Sequence, residues 1–358
     1  MGTHECLFEL LRYGLGKSNE CKIPEGVNWS EVYNLALIQG VEGIVLDGID
    51  RCYNQNKDLN IDFQTKLEWI GDVQQMVSVY NHHKSTVAKL AKFYQKHGIK
   101  MMLMKGIGMS FDYPIPNHRP CGDIDIYLYG NLEKGDNLIH ERFGSEINND
   151  EHKHTVFKIE GVTVENHYDF ANYHKHRSSK KLDEWLKVNC HTDSTEITGI
   201  GENVYLPSAS FNAIFLVRHA ASHFAAERIT LRHLLDWAFF VENHHDEVDW
   251  EWQWKVCKEQ NMHQFLLAIN DICVQYLGFD ASLCRTCDTA LTKRVLNEIL
   301  QPEFQEENPK KMLPYIISRG RRWWANRWKH KIVYPDGMMV TFLSQVSAHL
   351  MKPATMIG

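Results

Sequence analysis

The spacing of apolar residues predicts that the N-terminal part of the chain is helical. Leu7, Leu10 and Leu11 recur at intervals of three and four residues, and an apolar stripe without proline runs through 63–94. Residues at these intervals fall on one face of an α-helix. We therefore expect helices as far as about residue 97, with either one long helix or two abutting helices over 63–94.

The pattern changes at Gly98, where short apolar runs replace the helical spacing. An apolar run over 99–104 follows this glycine and predicts a buried strand, and Lys105-Gly106 then forms a turn into a helix. Glu160-Gly161 predicts a tight turn between two strands. Further elements are predicted in this segment, namely a helix over 131–142 and strands over 121–128, 155–159 and 162–168.

Helical spacing returns after Pro207. The complete pattern predicts an α+β fold in which a small mixed sheet is flanked by helical N-terminal and C-terminal regions. We divide the chain into a helical region over 1–98, an α/β core over 99–206 and a helical domain over 207–358. In that last domain, helices are predicted over 210–225, 231–243, 250–260, 263–277 and 289–300, with a last pair near the C-terminus.

Two carboxylates stand two residues apart in a strand-like segment. Asp123 and Asp125 alternate with the apolar residues Ile124 and Ile126. Residues i and i+2 share one face of a strand, so both carboxylates point the same way and repel each other unless a cation lies between them. Mg²⁺ takes oxygen ligands and is commonly held by one or two carboxylates together with substrate phosphates. The pattern therefore suggests phosphoryl chemistry.

A third carboxylate is expected on a neighbouring strand, because two acidic groups alone cannot hold both ions of a two-metal site. Glu165 is the candidate, since Thr163, Glu165 and His167 share the polar face of the strand over 162–168. For His167 two interpretations stay open. It either positions the acceptor or a carboxylate, or it is an exposed strand residue.

Phosphate-binding groups are predicted near the same strand. Gly106 lies between a strand and a helix, where the backbone and the helix N-terminus can approach a phosphate, and Lys105 supplies a cation beside it. Arg119 precedes the Asp-x-Asp strand and could bind a phosphate with two parallel hydrogen bonds. Each feature alone is common in proteins without phosphate sites.

Six short motifs follow one another along the chain. In this order they resemble the uncharacterised nucleotidyltransferase group of the DNA polymerase β-like superfamily, best over residues 95–245. The motifs are Leu103-Met-Lys-Gly106, Tyr113-Pro114 with Arg119, Gly122-Asp-Ile-Asp125, Val164-Glu-Asn-His167, Arg218-His-Ala-Ala-Ser-His223 and Leu231-Arg-His-Leu-Leu-Asp236.

The resemblance implies a nucleotidyltransferase-type sheet and the transfer of a nucleoside monophosphate from an NTP to an acceptor hydroxyl or phosphate. It assigns Asp123, Asp125 and Glu165 as catalytic ligands of Mg²⁺, with Mn²⁺ as the alternative ion. Asp125 would bridge both ions, and Glu165 would also orient or deprotonate the acceptor oxygen. The residues that it implies for nucleotide binding are Lys105, Gly106, Arg119 and Gly122.

One departure from the family pattern keeps alternatives open. The superfamily usually has Gly-Ser or Gly-Gly after its first strand, whereas Gly106-Ile107 stands here. A non-catalytic nucleotide- or ligand-binding module that retains the fold is therefore the alternative function, as is a nucleotidyltransferase that modifies RNA or protein. The expected partners are an NTP donor and an acceptor, with a small molecule such as a sugar preferred.

Composition narrows the partners further. The formal net charge of −6 gives no global basic field, so nucleic acid is not favoured. The nine cysteines are scattered and favour reduced thiols in the cytoplasm, and Cys284 and Cys287 form only a lone C-x-x-C pair. No apolar run reaches the roughly 18 residues of a membrane span.

Three further patterns are interpreted as structural. His219 and His223 have zinc-compatible i, i+4 spacing, but a role in joining the helical domain to the α/β core is favoured over a metal role. Arg232 and Asp236 have the same spacing and are expected to pair along one helix. The Arg- and Trp-rich segment 319–331 is interpreted as an amphipathic helix, with binding to RNA or a membrane surface as the alternative.

Overall fold

A six-stranded mixed sheet forms the centre of the computed structural model. The structure describes residues 2–55, 59–150, 152–190, 195–196, 200–287, 290–303 and 312–351. Four helices precede the sheet, and side chains cap the N-termini of two of them, Asn28 for the second helix and Asp62 for the fourth. These helices are α1 Gly2–Gly14, α2 Trp29–Gln39, α3 Glu42–Asn54 and α4 Phe63–Lys96.

The sheet has the strand order β3-β4-β2-β1-β6-β5. Strand β2 lies between β1, to which it is antiparallel, and β4, to which it is parallel. Glu160 and Gly161, both with positive φ, form the tight turn between β3 and β4. The strands are β1 Met101–Leu103, β2 Ile124–Tyr127, β3 His154–Ile159, β4 Val162–His167, β5 Thr195–Glu196 and β6 Val204–Leu206.

The remaining helices lie between the strands and after them. Helices α5 Ile107–Ser110, α6 Leu132–Phe143 and α7 Lys180–Asn189 are interspersed among the strands. The C-terminal helices are α8 Ala209–Ala226, α9 Leu231–His244, α10 Trp250–Glu259, α11 His263–Leu277, α12 Ala290–Leu300, α13 Met312–Ala325, α14 Arg327–Val333 and α15 Met338–Met351.

The sheet separates two apolar cores. Ile124 and Ile126 of β2 point to a smaller core that is closed by Leu90 and Tyr94 of α4 and by Ile139 of α6. On the other face, one continuous core joins helices α1–α3 to helices α8–α12. Asp125 belongs to this second face, because side chains alternate along β2. The site is therefore enclosed by the helical part of the chain.

The α+β class and the mixed sheet between helical regions are confirmed. The predicted helix over 63–94 is a single helix, and both predicted hairpin strands are present. The strand predicted over 121–128 is shorter, so Asp123 stands just before β2. The helices of 1–98 and of 207–358 share one core, and the three-way division of the chain stays a prediction.

The C-terminal segment contains three helices where a last pair was expected. Within it, Lys329 is buried and binds Glu298 at 2.6 Å, and Trp328 packs against Phe224. Trp324 is 62% exposed. The packing of Trp328 agrees with the amphipathic interpretation of segment 319–331, whereas the exposed Trp324 and the buried Lys329 depart from it. The segment also spans two helices, α13 and α14, in place of one.

Among the described helices, none has the length and apolar character required to cross a membrane. Cys284 and Cys287 are free thiols, and neither belongs to a group of potential metal ligands within the described part of the chain.

Candidate metal and nucleotide site

Three carboxylates meet on the face of the sheet that the helices cover. Asp125 and Glu165 are direct neighbours in the register of the parallel strands β2 and β4, and Asp123 immediately precedes β2. One oxygen from each of the three carboxylates lies within 4.8 Å of the other two. The chain thus brings together all three residues predicted as metal ligands.

Lys105 lies next to this carboxylate cluster at the end of β1. Its Nζ is 2.7 Å from Oδ1 of Asp125, whose side chain is only 1% exposed. Burial acts to lower the pKa of Lys105, but the three carboxylates outweigh burial and raise it above its ordinary value. Burial likewise acts to raise the pKa of Asp125, but Lys105 and His167 hold it far below its usual range. Both groups are therefore charged at neutral pH.

The other two carboxylates have pKa shifts of opposite sign. Burial, together with the negative charge of Asp125, raises the pKa of Asp123. For Glu165, burial acts to raise the pKa, but the hydrogen bond with His167 brings it below the ordinary value. Three carboxylates in a small volume make this face attractive to cations.

Two histidines lie beside the carboxylate cluster. His167 is 3% exposed, and its Nε2 is 2.9 Å from Asp125 Oδ1 and 3.4 Å from Glu165 Oε2. The interpretation of His167 as an exposed strand residue is therefore wrong. His154 of β3 lies with Nδ1 3.4 Å from Glu165 Oε2, and burial lowers the pKa of His154 to about 4. His154 is thus a neutral imidazole at neutral pH.

Gly106 places the end of β1 close to the backbone of Asp123. It has φ +56° and ψ −116°, and a Cβ on this residue would lie 3.2 Å from the Asp123 carbonyl oxygen. Residues with a Cβ rarely adopt this conformation. Gly122 has no such constraint, since a Cβ there would meet nothing within 4 Å.

The helix after Gly106 is too short to bind phosphate through its N-terminus. Helix α5 has four residues, and its Ile107 side chain is buried. The hydroxyl of Ser110 contacts Tyr80 at 2.9 Å and the Ile107 carbonyl at 2.6 Å. The predicted phosphate binding at Lys105-Gly106 therefore depends more on Lys105 than on the helix N-terminus, and it stays a prediction.

Arg119 has a structural contact in place of the predicted phosphate contact. It is 4% exposed, and its Nε and Nη2 donate to the two oxygens of Asp236 at 2.7 and 2.8 Å. Tyr113 donates a third hydrogen bond to Asp236 at 2.7 Å. The expectation of an Arg232–Asp236 pair is corrected by the same contacts, because Arg119 binds both Asp236 oxygens.

Arg232 is a residue that the sequence analysis did not assign to the site. Its charge acts to lower the pKa of Asp123, and its Nη1 donates to the Pro120 carbonyl at 3.1 Å. Its Nε is buried and has no hydrogen-bond partner among the described residues. The motif Leu231-Arg-His-Leu-Leu-Asp236 includes Arg232. Its spacing alone, however, suggested that Arg232 pairs with Asp236 within the helix.

A polar cavity of about 390 Å³ opens beside Gly122, between α4 and the β3–β4 hairpin. Cavities of this size accommodate small ligands. Amide, hydroxyl and imidazole groups contribute to its lining, from Gln75, Ser78, His82, His83 and Thr163.

The family model of uncharacterised nucleotidyltransferases matches residues 25–278, which include the whole sheet and helices α2 to α11. The chain belongs to this nucleotidyltransferase family. The match begins well before the segment in which the motifs occur and ends beyond α9. Searches of the curated proteins and of the solved structures returned no significant match.

Membership of the nucleotidyltransferase family supports nucleotidyl transfer as the general reaction, with an NTP as donor. The carboxylate cluster is able to bind a metal ion, because its hard oxygen donors are those that divalent cations such as Mg²⁺ prefer. The observation on which this rests is the grouping of three carboxylates on one sheet face.

Proposed function

We propose that this protein is a Mg²⁺-dependent nucleotidyltransferase that moves a nucleoside monophosphate from an NTP to an acceptor hydroxyl or phosphate, with Mn²⁺ as an alternative ion. The observation that carries the proposal is the carboxylate cluster Asp123, Asp125 and Glu165 on adjacent strands of a chain from a nucleotidyltransferase family. Three like charges this close together repel one another unless cations compensate their charge.

In the proposed reaction, an acceptor oxygen attacks the α-phosphorus of the NTP, and the bond to the bridging oxygen between the α- and β-phosphates breaks. The acceptor loses its proton and pyrophosphate leaves. Asp123, Asp125 and Glu165 would hold the divalent ions. When bound, such ions neutralise phosphate charge and activate the attacking oxygen.

Lys105 and Arg232 are the proposed phosphate-binding side chains. The ammonium of Lys105 lies against Asp125, at the place where a phosphate bound to the cluster would be held. Arg232 approaches from the Asp123 side and has an unsatisfied buried Nε. Gly106 and Gly122 would let the backbone approach the nucleotide. Arg119, by contrast, would position the loop before β2.

Glu165 would act mainly as a ligand. Its lowered pKa makes it a weak proton acceptor, so orientation of the acceptor oxygen suits it better than general-base catalysis. His167 would position Asp125 and Glu165 through the contacts of its Nε2 at 2.9 and 3.4 Å.

A sugar or another small polar molecule is the proposed acceptor. The cavity beside Gly122 presents amide, hydroxyl and imidazole groups, which suit hydroxyl-rich ligands, together with the Glu160 carboxylate and the apolar Val79 and Val162. The net charge of −6 does not favour long nucleic acids.

The test is an assay of pyrophosphate release with each NTP, Mg²⁺ and a panel of sugars, sugar phosphates and RNA ends. We expect release to require one class of acceptor, and we expect Glu165→Gln to reduce the rate by at least about 100-fold. A folded wild-type protein that binds an NTP but never releases pyrophosphate would favour the alternative, a non-catalytic binding module. The buried Ile107, in place of the usual serine or glycine, is the observation that favours this alternative.

A further inference from the structure

A second group of potential metal ligands adjoins the carboxylate cluster. It consists of His154 on β3 and of Glu165 and His167 on β4. His154 Nδ1 and His167 Nε2 each lie 3.4 Å from Oε2 of Glu165, and all three ligand atoms lie within 4.8 Å of one another. His154 and His167 are partners in the register of the antiparallel hairpin, so the rigid sheet holds them in place.

The Nδ1 atom of His154 lacks a hydrogen-bond partner among the described residues. His154 is 7% exposed, and this nitrogen is fully buried. It faces Glu165 Oε2, but not with the geometry of a hydrogen bond. A buried polar atom without a partner is energetically costly, so such atoms point to a missing ligand. A metal ion between the imidazole and the carboxylate would satisfy this nitrogen.

His167 has the support that is typical of a metal-binding histidine. Its Nδ1 lies 3.3 Å from the backbone carbonyl oxygen of Asp169, and its Nε2 lies 2.9 Å from Asp125 Oδ1, a contact that an ion bound to Nε2 would replace. Histidines that bind metals usually donate their other ring N–H to a carbonyl or carboxylate, which directs the free nitrogen at the ion.

The two distances at Glu165 match those of a small tetrahedral ion. With bonds of about 2.0–2.1 Å, two ligands of a tetrahedral site are about 3.3–3.4 Å apart. Both nitrogen-to-oxygen distances at Glu165 are 3.4 Å. Imidazole nitrogen favours transition metals such as Zn²⁺, whereas Mg²⁺ prefers an all-oxygen set.

We propose that His154, Glu165 and His167 form a transition-metal site of the Zn²⁺ class, distinct in its nitrogen ligands from the carboxylate cluster and sharing only Glu165 with it. Three protein ligands leave a fourth position for water or a substrate oxygen. The site does not require the protein to transfer nucleotides, and it implies that the protein binds two kinds of metal ion.

The test is a titration of the metal-free full-length protein with Co²⁺ alone, without nucleotide. The visible absorption of the bound Co²⁺ is recorded during the titration. Zn²⁺ affinity is then measured in competition with a chromophoric chelator. His154→Phe keeps the ring and its packing but removes the ligand nitrogen. His140→Phe is the matched control, because His140 is an exposed histidine outside the group. Circular dichroism establishes that each variant is folded.

We expect one Co²⁺ per wild-type chain, with the intense absorption of a tetrahedral site. Loss of groups that merely support a ligand costs about 10- to 100-fold in metal affinity, so His154→Phe should weaken Co²⁺ and Zn²⁺ binding by about 100-fold or more. Asp123→Asn and His140→Phe should retain it. Equal Co²⁺ affinity of His154→Phe and wild type, or loss in Asp123→Asn alone, would overturn the proposal. Nucleotide binding with Mg²⁺ is a separate titration, so failure of the proposed function is distinguishable from failure of this site.

Discussion

Arg119 and Asp236 form a buried ion pair with two parallel hydrogen bonds, of 2.7 and 2.8 Å, between the loop before β2 and helix α9. Asp236 is thereby held ionised, since burial alone would raise its pKa and the guanidinium lowers it instead. The pair connects the helical part of the chain to the strand that carries the carboxylate cluster. It therefore helps to position the site.

Arg119→Ala is expected to destabilise the protein, because it leaves Asp236 buried without its cation. Removal of one partner of a buried pair costs about 3–5 kcal/mol. The free energy of unfolding, measured by urea denaturation, checks this expectation. The exposed Arg142→Ala on α6 is the control and should change it by no more than about 0.5 kcal/mol. If Arg119→Ala were as stable as this control but bound NTP poorly, a phosphate-binding role for Arg119 would be restored.

Gly106→Ala is expected to strain the turn between β1 and α5. The backbone conformation of Gly106 excludes most side chains, and the new Cβ would press on the Asp123 carbonyl oxygen at 3.2 Å. Such strain costs about 1–3 kcal/mol. Thermal denaturation compares the melting temperature of Gly106→Ala with that of Gly122→Ala. The Cβ of Gly122→Ala has open space around it, so this variant should keep the wild-type stability. Equal melting temperatures of the two variants would contradict this account of Gly106.

The sequence was sufficient to predict those parts of the site that depend on local alternation. Asp123, Asp125 and Glu165 stand at positions where period-two spacing places polar residues on one strand face, and the register of β2 and β4 brings them together. Helix α4 was equally predictable from its long apolar stripe.

Contacts between distant segments could not be predicted in this way. The Arg119–Asp236 pair joins residues 117 positions apart, and either partner had a plausible local alternative. Strand β6 and helix α7 were not predicted. Strand β6 has only three residues, too few for a period to be recognised. Helix α7 exposes the apolar Val188, so its apolar and polar residues do not separate cleanly onto two faces. The His154–Glu165 contact required the register of the β3–β4 hairpin.

Acid is expected to destabilise the protein through buried neutral histidines, of which His176 is an example. Burial and the nearby charge of Arg218 lower the pKa of His176 to about 2, and its ring stacks on Tyr334 at 3.5 Å. Below pH 6.5 the unfolded chain binds a proton at His176 that the folded chain does not, so stability falls with pH.

His176→Phe would preserve the stacked ring and remove this dependence. Between pH 7 and pH 5 the wild type should lose about 2 kcal/mol more stability than His176→Phe, as measured by urea denaturation at each pH. The exposed His140→Phe should follow the wild type. A His176→Phe curve parallel to that of the wild type would show that His176 is not held neutral.

Lys105→Met is expected to change the affinity for a metal ion and the affinity for a nucleotide in opposite directions. The variant removes the ammonium that lies 2.7 Å from Asp125, so Mn²⁺ alone should bind more tightly. NTP should bind more weakly, because a phosphate-binding cation is lost. Electron paramagnetic resonance of free Mn²⁺ measures the first effect and calorimetry the second. If both affinities changed in the same direction, Lys105 would not have the role proposed here.

The most direct test of the proposed nucleotide and metal site is calorimetric titration of each of the four NTPs, with Mg²⁺ and with chelator. It compares the wild type with Asp123→Asn/Asp125→Asn and with Glu133→Gln/Glu141→Gln, which makes the same charge change on the exposed surface of α6. We predict binding of at least one NTP that requires Mg²⁺, is lost in the aspartate variant and persists in the surface variant. NTP binding that is unchanged by chelator and by loss of both aspartates would contradict the account.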